Sequence, residues 1–216
     1  MLFADRDGAG RELADEIARL IPPGSTEPAP LVLALPRGGV PVAAHVAKRL
    51  HADLDVVVAR KIGAPGRPEY GIGAIAEDGP AVFDIDALDA LGLTESDLAD
   101  AVVRERAELA RRIQQYRGDR PFPPITGRTV VVVDDGLATG VTAVATLRWL
   151  RLRGPARLLL ALPVCATQAR ALVDAEADQV VCLHMPPLFR AVGQWYDDFS
   201  QLTDAEVGRL LHAAAY

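Results

Sequence analysis

The sequence predicts an α/β protein in which helices cover both faces of a doubly wound, mostly parallel β-sheet. Two observations predict this fold class. Short apolar runs alternate with segments of helical periodicity along most of the chain, as in successive β-α-β units. Several of the runs lack polar alternation, which is typical of strands that are buried on both faces of a parallel sheet. With 216 residues, half of them apolar, the chain is long enough to bury a sizeable core.

The first half of the chain contains the opening β-α-β unit. An apolar stripe formed by Leu13, Ile17 and Leu20 predicts an amphipathic first helix. Residues 61–70 contain two prolines and two glycines, so we expect a mobile loop there. The predicted elements are a helix over Asp7–Leu20, a strand over Leu31–Leu35, a helix over Val40–Leu50, a strand over Asp55–Ala59, and weaker strands over Gly71–Ala76 and Ala81–Phe83.

A long helical insertion precedes the second half. Thr94 can cap a helix over Glu95–Tyr116, and a proline-rich connector follows it. The alternation then resumes, and Thr203 with Glu206 has the capping-box spacing that starts a last helix. The elements predicted between them are strands over Thr129–Val133, Leu158–Leu162 and Gln179–Leu183, helices over Val141–Arg153 and Thr167–Glu176, and an irregular aromatic segment over His184–Phe199.

Composition and charge exclude several classes of function. The net charge of −6 argues against a nucleic-acid-binding surface, which is usually basic. No apolar run approaches the roughly 20 residues that span a bilayer, and the first residues lack the order of a signal peptide. Cys165 and Cys182 show no paired spacing, so we expect two buried thiols in a reducing compartment. We therefore expect a single cytoplasmic domain over residues 1–216 that binds neither nucleic acid nor a membrane.

The most informative stretch follows the strand at Thr129–Val133. Two acids, Asp134 and Asp135, end the strand, and a glycine-containing turn leads into a helix. In an open α/β sheet, ligands bind outside the carboxyl ends of the strands. Backbone N–H groups at the start of the helix suit a phosphate group, whereas the two carboxylates would repel it and suit sugar hydroxyls or magnesium instead. The plain alternative is a strand that ends in an Asp cap before an ordinary turn.

Other nucleotide and hydrolase motifs are missing from the sequence or stand in the wrong context. No G-x-x-x-x-G-K-[ST] or G-x-S-x-G string occurs. Residues 71–76 match G-x-G-x-x-A, but a Gly-Pro turn follows where a dinucleotide-binding motif needs a helix.

The stretch Val130–Thr142 resembles the signature of type I phosphoribosyltransferases. The resemblance implies the fold of that family over a core of about residues 31–183, and it implies phosphoribosyl pyrophosphate as a substrate. Asp134 and Asp135 would then bind the ribose hydroxyls. The loop that would hold the 5-phosphate consists of Ala138, Thr139, Gly140, Val141 and Thr142.

Two further segments are similar to the family's loops. The Leu-Pro-Arg-Gly-Gly string ends the first strand, and the resemblance implies that Arg37, Gly38 and Gly39 bind pyrophosphate and that the Pro36–Arg37 peptide bond is cis. Lys61 opens the loop that would close over the pyrophosphate, and Arg67 would reach in on closure. The plain alternatives are an ordinary turn with a surface arginine, and solvated charges at a strand end.

The resemblance also implies a Mg²⁺-dependent reaction in which the ribose 5-phosphate unit passes to a small nitrogenous base. The metal is carried by the substrate near the two aspartates, with no direct protein ligand assigned. A C-terminal hood over residues 184–200, the helix over 95–116, or both would recognise the base. The Val-Gly-x-x-x-Asp spacing that ends at Asp197 is similar to the hood of 6-oxopurine transferases, and Trp195 could stack on a base. That family places a lysine where this chain has Pro163-Val164-Cys165, which departs from the 6-oxopurine pattern.

Two other functions stay open on the sequence. One is a non-catalytic sensor of phosphoribosyl pyrophosphate or of a nucleotide. The other is a structural partner of another enzyme, with the helix over 95–116 as the interface. A homodimer is compatible with each of them.

Overall fold

The computed structural model describes residues 2–214, and its strands form two separate sheets. The larger sheet has five strands, all parallel, in the order β2-β1-β6-β7-β8. The smaller has three antiparallel strands in the order β3-β4-β5. The strands are β1 (Leu31–Ala34), β2 (Asp53–Val56), β3 (Ala59–Ala64), β4 (Arg67–Ala76), β5 (Ala81–Phe83), β6 (Thr129–Val133), β7 (Arg157–Val164) and β8 (Gln179–His184).

Helices lie on both faces of the five-stranded sheet, as predicted. The buried residues of α1, α2 and α7 share one core cluster, and those of α5 and α6 share the other. Short 3-10 helices cover Glu95–Leu98 and Val192–Trp195. The α-helices are α1 (Arg6–Leu20), α2 (Gly39–Leu50), α3 (Ile85–Leu91), α4 (Ala99–Arg117), α5 (Val141–Arg151), α6 (Thr167–Asp174) and α7 (Asp204–Ala214).

The central strands are apolar throughout because each of their faces packs against helices. Val131 and Val133 of β6 belong to the cluster with α1 and α2, whereas Val130 and Val132 belong to the cluster with α5. Successive side chains of a strand point to opposite faces, so a strand covered on both sides needs an apolar residue at every position. The fold class that the sequence predicts is therefore confirmed.

The expectation of a mobile loop over residues 61–70 is wrong. Most of this segment lies in β3 and β4, which form an antiparallel hairpin turning at Pro65 and Gly66. Proline and glycine do mark the turn, but the glycines at 63 and 71 pair across the strands at an irregularity in the register. The predicted strand over Asp55–Ala59 is also displaced, because β2 ends at Val56 and Ala59 already belongs to β3.

The helical insertion contains two α-helices, α3 and α4, rather than one. Thr94 caps the insertion as predicted, in a capping box with Asp97, but the first turn is a 3-10 helix and α4 begins only at Ala99. The preceding helix α3 was not predicted. Asp84 accepts a hydrogen bond from the N–H of Ala87 at its start, which is the signal that could have identified it.

A buried ion pair attaches α4 to the sheets. Both guanidinium Nη atoms of Arg117 donate to the carboxylate of Glu77, at 3.0 and 2.7 Å, and one also donates to the carbonyl of Val56 at 3.0 Å. The same carboxylate accepts from the N–H of Val58 at 2.8 Å. The side chains are only 4 and 5 % exposed, so each charge depends on the other.

We expect Arg117→Met to lower the free energy of unfolding by about 3–5 kcal/mol, because the carboxylate of Glu77 stays buried without its counter-charge. Adding Glu77→Gln to that variant should restore part of the loss. Arg19→Met, which breaks an exposed pair with Glu16, is the matched control and should change stability by less than about 1 kcal/mol. Urea denaturation measures all four proteins, and equal small losses for both arginines would contradict a structural role of the buried pair.

Candidate active site

The candidate site lies where two neighbouring strands of the large sheet end. Ala34 of β1 pairs in register with Val133 of β6, and the N–H of Leu35 donates to the carbonyl of Val133 at 2.9 Å. The loops that follow these strands therefore leave the same edge of the sheet side by side. The motif after β1 and the acids after β6, identified separately in the sequence, meet at this edge.

Gly38 and Gly39 allow the two loops to touch. A Cβ atom at Gly38 would lie 1.9 Å from Oδ2 of Asp135, and one at Gly39 would lie 2.6 Å from the carbonyl oxygen of Val133. Both distances are far below van der Waals contact, so any side chain at either position would displace the loop after β6. The glycines place backbone directly against the carboxylates, which is the close approach that glycine permits.

Arg37 stands beside this contact. The Pro36–Arg37 peptide bond is cis, as the resemblance implies. The guanidinium of Arg37 lies 3.9 Å from Asp204 at the start of α7, and both side chains are about one third exposed. The carboxylate of Asp204 also accepts a hydrogen bond from the Tyr116 hydroxyl at 2.5 Å, which together with the positive charge of Arg37 holds its pKa below the usual value.

Asp135 is buried and Asp134 is half-buried. Asp135 is 9 % exposed, and its N–H donates to Oδ1 of Asp134 at 2.8 Å. Burial raises the pKa of Asp134 well above its usual range, and the charge of Asp135 raises it further. Burial also raises the pKa of Asp135, while the positive charge of Arg6 opposes that rise. Two adjacent carboxylates in this position need compensating donors or cations.

Arg6 supplies one such cation, and the sequence analysis missed it. Its Nε atom lies 2.8 Å from Oδ2 of Asp135. Arg6 is the first residue of α1, which Asp5 caps through a hydrogen bond from the N–H of Gly8. A helix cap at Asp5 could have located the start of α1, but no sequence pattern links Arg6 to a carboxylate 129 positions later.

The predicted hood, residues 184–200, packs against the loop after β6 that carries Asp134 and Asp135, here called the acid loop. The hydroxyl of Tyr196 donates to the main-chain carbonyl of Asp135 at 2.5 Å, and the ring is 2 % exposed between Phe3 and Phe199. Tyr196 therefore contacts the acid loop from the core. Trp195 is half-buried and pairs with Phe189 at a centroid distance of 6.0 Å, and Asp197 is exposed.

The predicted phosphate loop leads into α5. Gly140 caps the helix with a φ of 83°, a left-handed conformation that glycine adopts without strain, and Val141 and Thr142 are the first helical residues. Ala138 and Thr139 are exposed ahead of them. The first turn of α5 carries no acidic residue, so the electrostatic field at this helix end favours an anion.

Lys61 and Arg67 lie on the hairpin rather than in the acid loop. Lys61 belongs to β3, and its methylene groups cover Gly71, where a Cβ atom would lie 2.5 Å from Cδ of Lys61. It lines a cavity of about 640 Å³ together with Arg60 and Arg104, and no residue of the range 134–142 is among those that line it. Arg67 is exposed at the first position of β4.

Within residues 2–214, no group of three or more His, Cys, Asp or Glu side chains is arranged to hold a metal ion. In the same range no helix has the length and apolar character needed to cross a bilayer.

Comparison with known proteins identifies the family. The family described as "Phosphoribosyl transferase domain" matches residues 9–194, which is most of the chain. The chain belongs to this family. The resemblance seen in the motifs after β1 and β6 is therefore confirmed for the chain as a whole.

Relatives of this phosphoribosyl transferase domain occur in Mycobacterium tuberculosis and Thermus thermophilus. Two proteins of Mycobacterium tuberculosis, from strains CDC 1551 and H37Rv, are both named "Putative phosphoribosyl transferase" and are 46 % identical over 214 residues. That alignment covers 99 % of this chain but 47 % of theirs, so the chain spans about half the length of these curated relatives. The crystal structure of TT1426 from Thermus thermophilus is 44 % identical, covers both chains completely and has a TM-score of 0.81.

A more distant structure shares the fold. A hypothetical protein from Neisseria gonorrhoeae has a TM-score of 0.53 at 15 % identity, with 99 % of this chain and 94 % of that chain covered.

We expect Asp134→Asn to raise the melting temperature at neutral pH by about 2–4 °C, which corresponds to a gain on the order of 1 kcal/mol. The neutral amide keeps the oxygen that accepts from the Asp135 N–H, and it removes the repulsion between two buried carboxylates. Folding raises the pKa of Asp134, so its ionisation begins to lower the stability of the folded state above the pKa of the unfolded chain, and the loss is complete once the pH exceeds the folded pKa. The gain should therefore shrink as the pH falls, when Asp134 takes up a proton.

Differential scanning calorimetry at neutral and acidic pH measures this effect. Asp15→Asn is the control, because that carboxylate is 64 % exposed. A melting temperature of Asp134→Asn that equals or falls below the wild-type value at neutral pH would contradict the repulsion.

Proposed function

We propose that this protein transfers the ribose 5-phosphate unit of phosphoribosyl pyrophosphate to a nitrogenous base and releases pyrophosphate. The observation that carries the proposal is the contact of Asp134 and Asp135 with the glycine pair at Gly38 and Gly39. The contact lies at the carboxyl ends of adjacent parallel strands, where α/β sheets bind ligands. The sequence similarity of both loops to those of type I phosphoribosyltransferases supports the same proposal.

The 5-phosphate would bind at the start of α5. Ala138, Thr139 and Gly140 lead into the helix, and Val141 and Thr142 form its first turn. Backbone N–H groups at a helix start have no partner within the helix, and the helix dipole adds positive potential there. The hydroxyl groups of Thr139 and Thr142 offer further donors.

The ribose and the pyrophosphate would bind on either side of the loop contact. Asp134 and Asp135 accept hydrogen bonds from the two ribose hydroxyls, a role that suits carboxylates held near a neutral sugar better than near a phosphate. The N–H groups of Gly38 and Gly39 approach the pyrophosphate, with Arg37 as a forked donor. Lys61 and Arg67 reach the pyrophosphate from the β3–β4 hairpin.

The residues present fit a magnesium ion that arrives with the substrate. Carboxylate oxygens are the ligands that Mg²⁺ prefers, and Mg²⁺ is usually bound by one or two carboxylates together with substrate phosphates. Asp134 and Asp135 are the carboxylates that would face it. When bound, the ion neutralises part of the negative charge of the pyrophosphate.

In the reaction, the bond between the anomeric carbon and the pyrophosphate oxygen breaks, and its electron pair leaves with pyrophosphate. The lone pair of the base nitrogen forms the new bond to the anomeric carbon. The sugar is cation-like between these events, so catalysis depends on orientation and on charge stabilisation rather than on a side-chain nucleophile. The carboxylates lie near the developing positive charge, and the hairpin excludes water that would compete with the base.

The hood over residues 184–200 would select the base. The spacing that ends at Asp197 is similar to that of purine transferases, and Trp195 offers a flat apolar face. Stacking of a base on an aromatic ring contributes roughly 1–3 kcal/mol, enough to select a small substrate. The helix α4 is the second candidate for this role.

The alternative function is a sensor that binds phosphoribosyl pyrophosphate or a nucleotide without turnover. The protein from Neisseria gonorrhoeae that shares the fold is described with bound ppGpp. A sensor would bind such a ligand and release no pyrophosphate with any base.

The test measures pyrophosphate release from phosphoribosyl pyrophosphate and Mg²⁺ with a panel of purine and pyrimidine bases. We expect release with at least one base. Asp135→Asn should weaken binding of phosphoribosyl pyrophosphate about ten-fold or more, because a buried carboxylate loses a charge-assisted hydrogen bond to ribose. Asp15→Asn should bind as the wild type does. Tight binding without release for any base would favour the sensor, and absence of binding to the wild-type protein would refute both the transferase and a sensor of phosphoribosyl pyrophosphate.

A further inference from the structure

Arg6, the first residue of α1, reaches the candidate ribose site from a distant part of the sequence. Its Nε–H donates to Oδ2 of Asp135 at 2.8 Å, and the two side chains are only 11 and 12 % exposed. A solvent-exposed ion pair contributes little, but this pair is largely shielded from water and joins α1 to a loop of the sheet. None of the motifs that identify the family contains Arg6.

Three groups hold the guanidinium of Arg6 in place. Besides Asp135, its Nη1 donates to the carbonyl of Ser200 at 3.0 Å, and its Cζ lies 3.9 Å from the centre of the Phe199 ring. The planar guanidinium thus uses one edge for the carboxylate, another for the main chain and one face for the aromatic ring. Since two of these partners, Phe199 and Ser200, belong to the hood, the orientation of Arg6 does not depend on Asp135 alone.

The carboxylate of Asp135 is oriented by these contacts. Arg6 binds Oδ2, and the backbone of Gly38 closes the space next to that same oxygen, where a Cβ would lie 1.9 Å away. The main chain of Asp135 is held as well, because the Tyr196 hydroxyl donates to its carbonyl oxygen. Arg6 therefore fixes the side chain while Tyr196 fixes the backbone of the same residue.

We propose that Arg6 is a positioning residue of the ribose site, which holds the Asp135 carboxylate so that its other oxygen accepts a ribose hydroxyl. This inference rests on the proposed function, because it assigns Asp135 to the ribose. Arg6 contacts Asp135 and acts through it. A purely structural Arg6 would instead tie α1 to the C-terminal segment, and its loss would lower stability without a specific effect on the ligand.

The test is a double-mutant cycle on the full chain, with phosphoribosyl pyrophosphate and Mg²⁺ as the probe in titration calorimetry. Arg6→Met keeps the length of the stem and removes the donor, whereas Arg6→Lys keeps a positive charge. We expect Arg6→Met to weaken binding about ten-fold and Arg6→Lys to recover most of that loss. In an Asp135→Asn background, Arg6→Met should change affinity less than two-fold, because the residue through which it acts is already altered. Arg19→Met, at an exposed position of α1, should bind as the wild type does.

The possible results test the positioning role of Arg6 and the proposed function separately. Losses of Arg6→Met and Asp135→Asn that multiply in the double variant would overturn the positioning role, as would wild-type affinity in Arg6→Met. If Arg6→Met does not fold, Arg6→Lys takes its place in the cycle, since a loss of affinity that multiplies with that of Asp135→Asn would also overturn the positioning role. Failure of the wild-type protein to bind the probe would instead refute the proposed function, whatever the variants do.

Discussion

Two adjacent carboxylates at the end of a central strand, one half-buried and one buried, constrain much of this structure. Asp134 and Asp135 follow β6, the middle strand of the parallel sheet, where helices on both faces exclude solvent. Buried charges of the same sign destabilise a folded protein unless donors or a cation compensate them. Two donors supply that compensation. The N–H of Asp135 donates to the carboxylate of Asp134, and Arg6 donates to the carboxylate of Asp135.

The segment before α1 and the hood meet beside the acid loop. The segment before α1 pairs with the hood, where the N–H of Asp197 donates to the carbonyl of Phe3 at 2.9 Å. Within the hood, Tyr196 contacts Asp135 and Phe199 contacts Arg6. A segment that would recognise a base is thereby connected to residues that would hold the ribose, so a change of substrate at one can alter the geometry of the other.

A different ion pair, Glu77 with Arg117, fixes the antiparallel hairpin to α4. Glu77 directly follows the last residue of β4. Its carboxylate bonds to Arg117 and to the N–H of Val58, and so joins the hairpin, α4 and the end of β2. Arg60 adds a pair with Glu105 of α4 at 2.7 Å. The base of the hairpin is therefore anchored, and its turn at Pro65 and Gly66 lines the same cavity as Glu105.

The sequence by itself determined the fold class, the strands β1 and β6 and the place of the acid loop, because these depend on local patterns. Buried parallel strands are apolar at every position, and the acids, glycines and helix start follow each other within thirteen residues of the chain. The hairpin was not recognised, since its glycines and prolines are typical of a loop unless the pairing strand is known. Tertiary structure alone decided which groups surround Asp135. Arg6 lies 129 positions away and Tyr196 lies 61 away, and a contact between such distant residues depends on how the helices and the hood pack rather than on any local pattern.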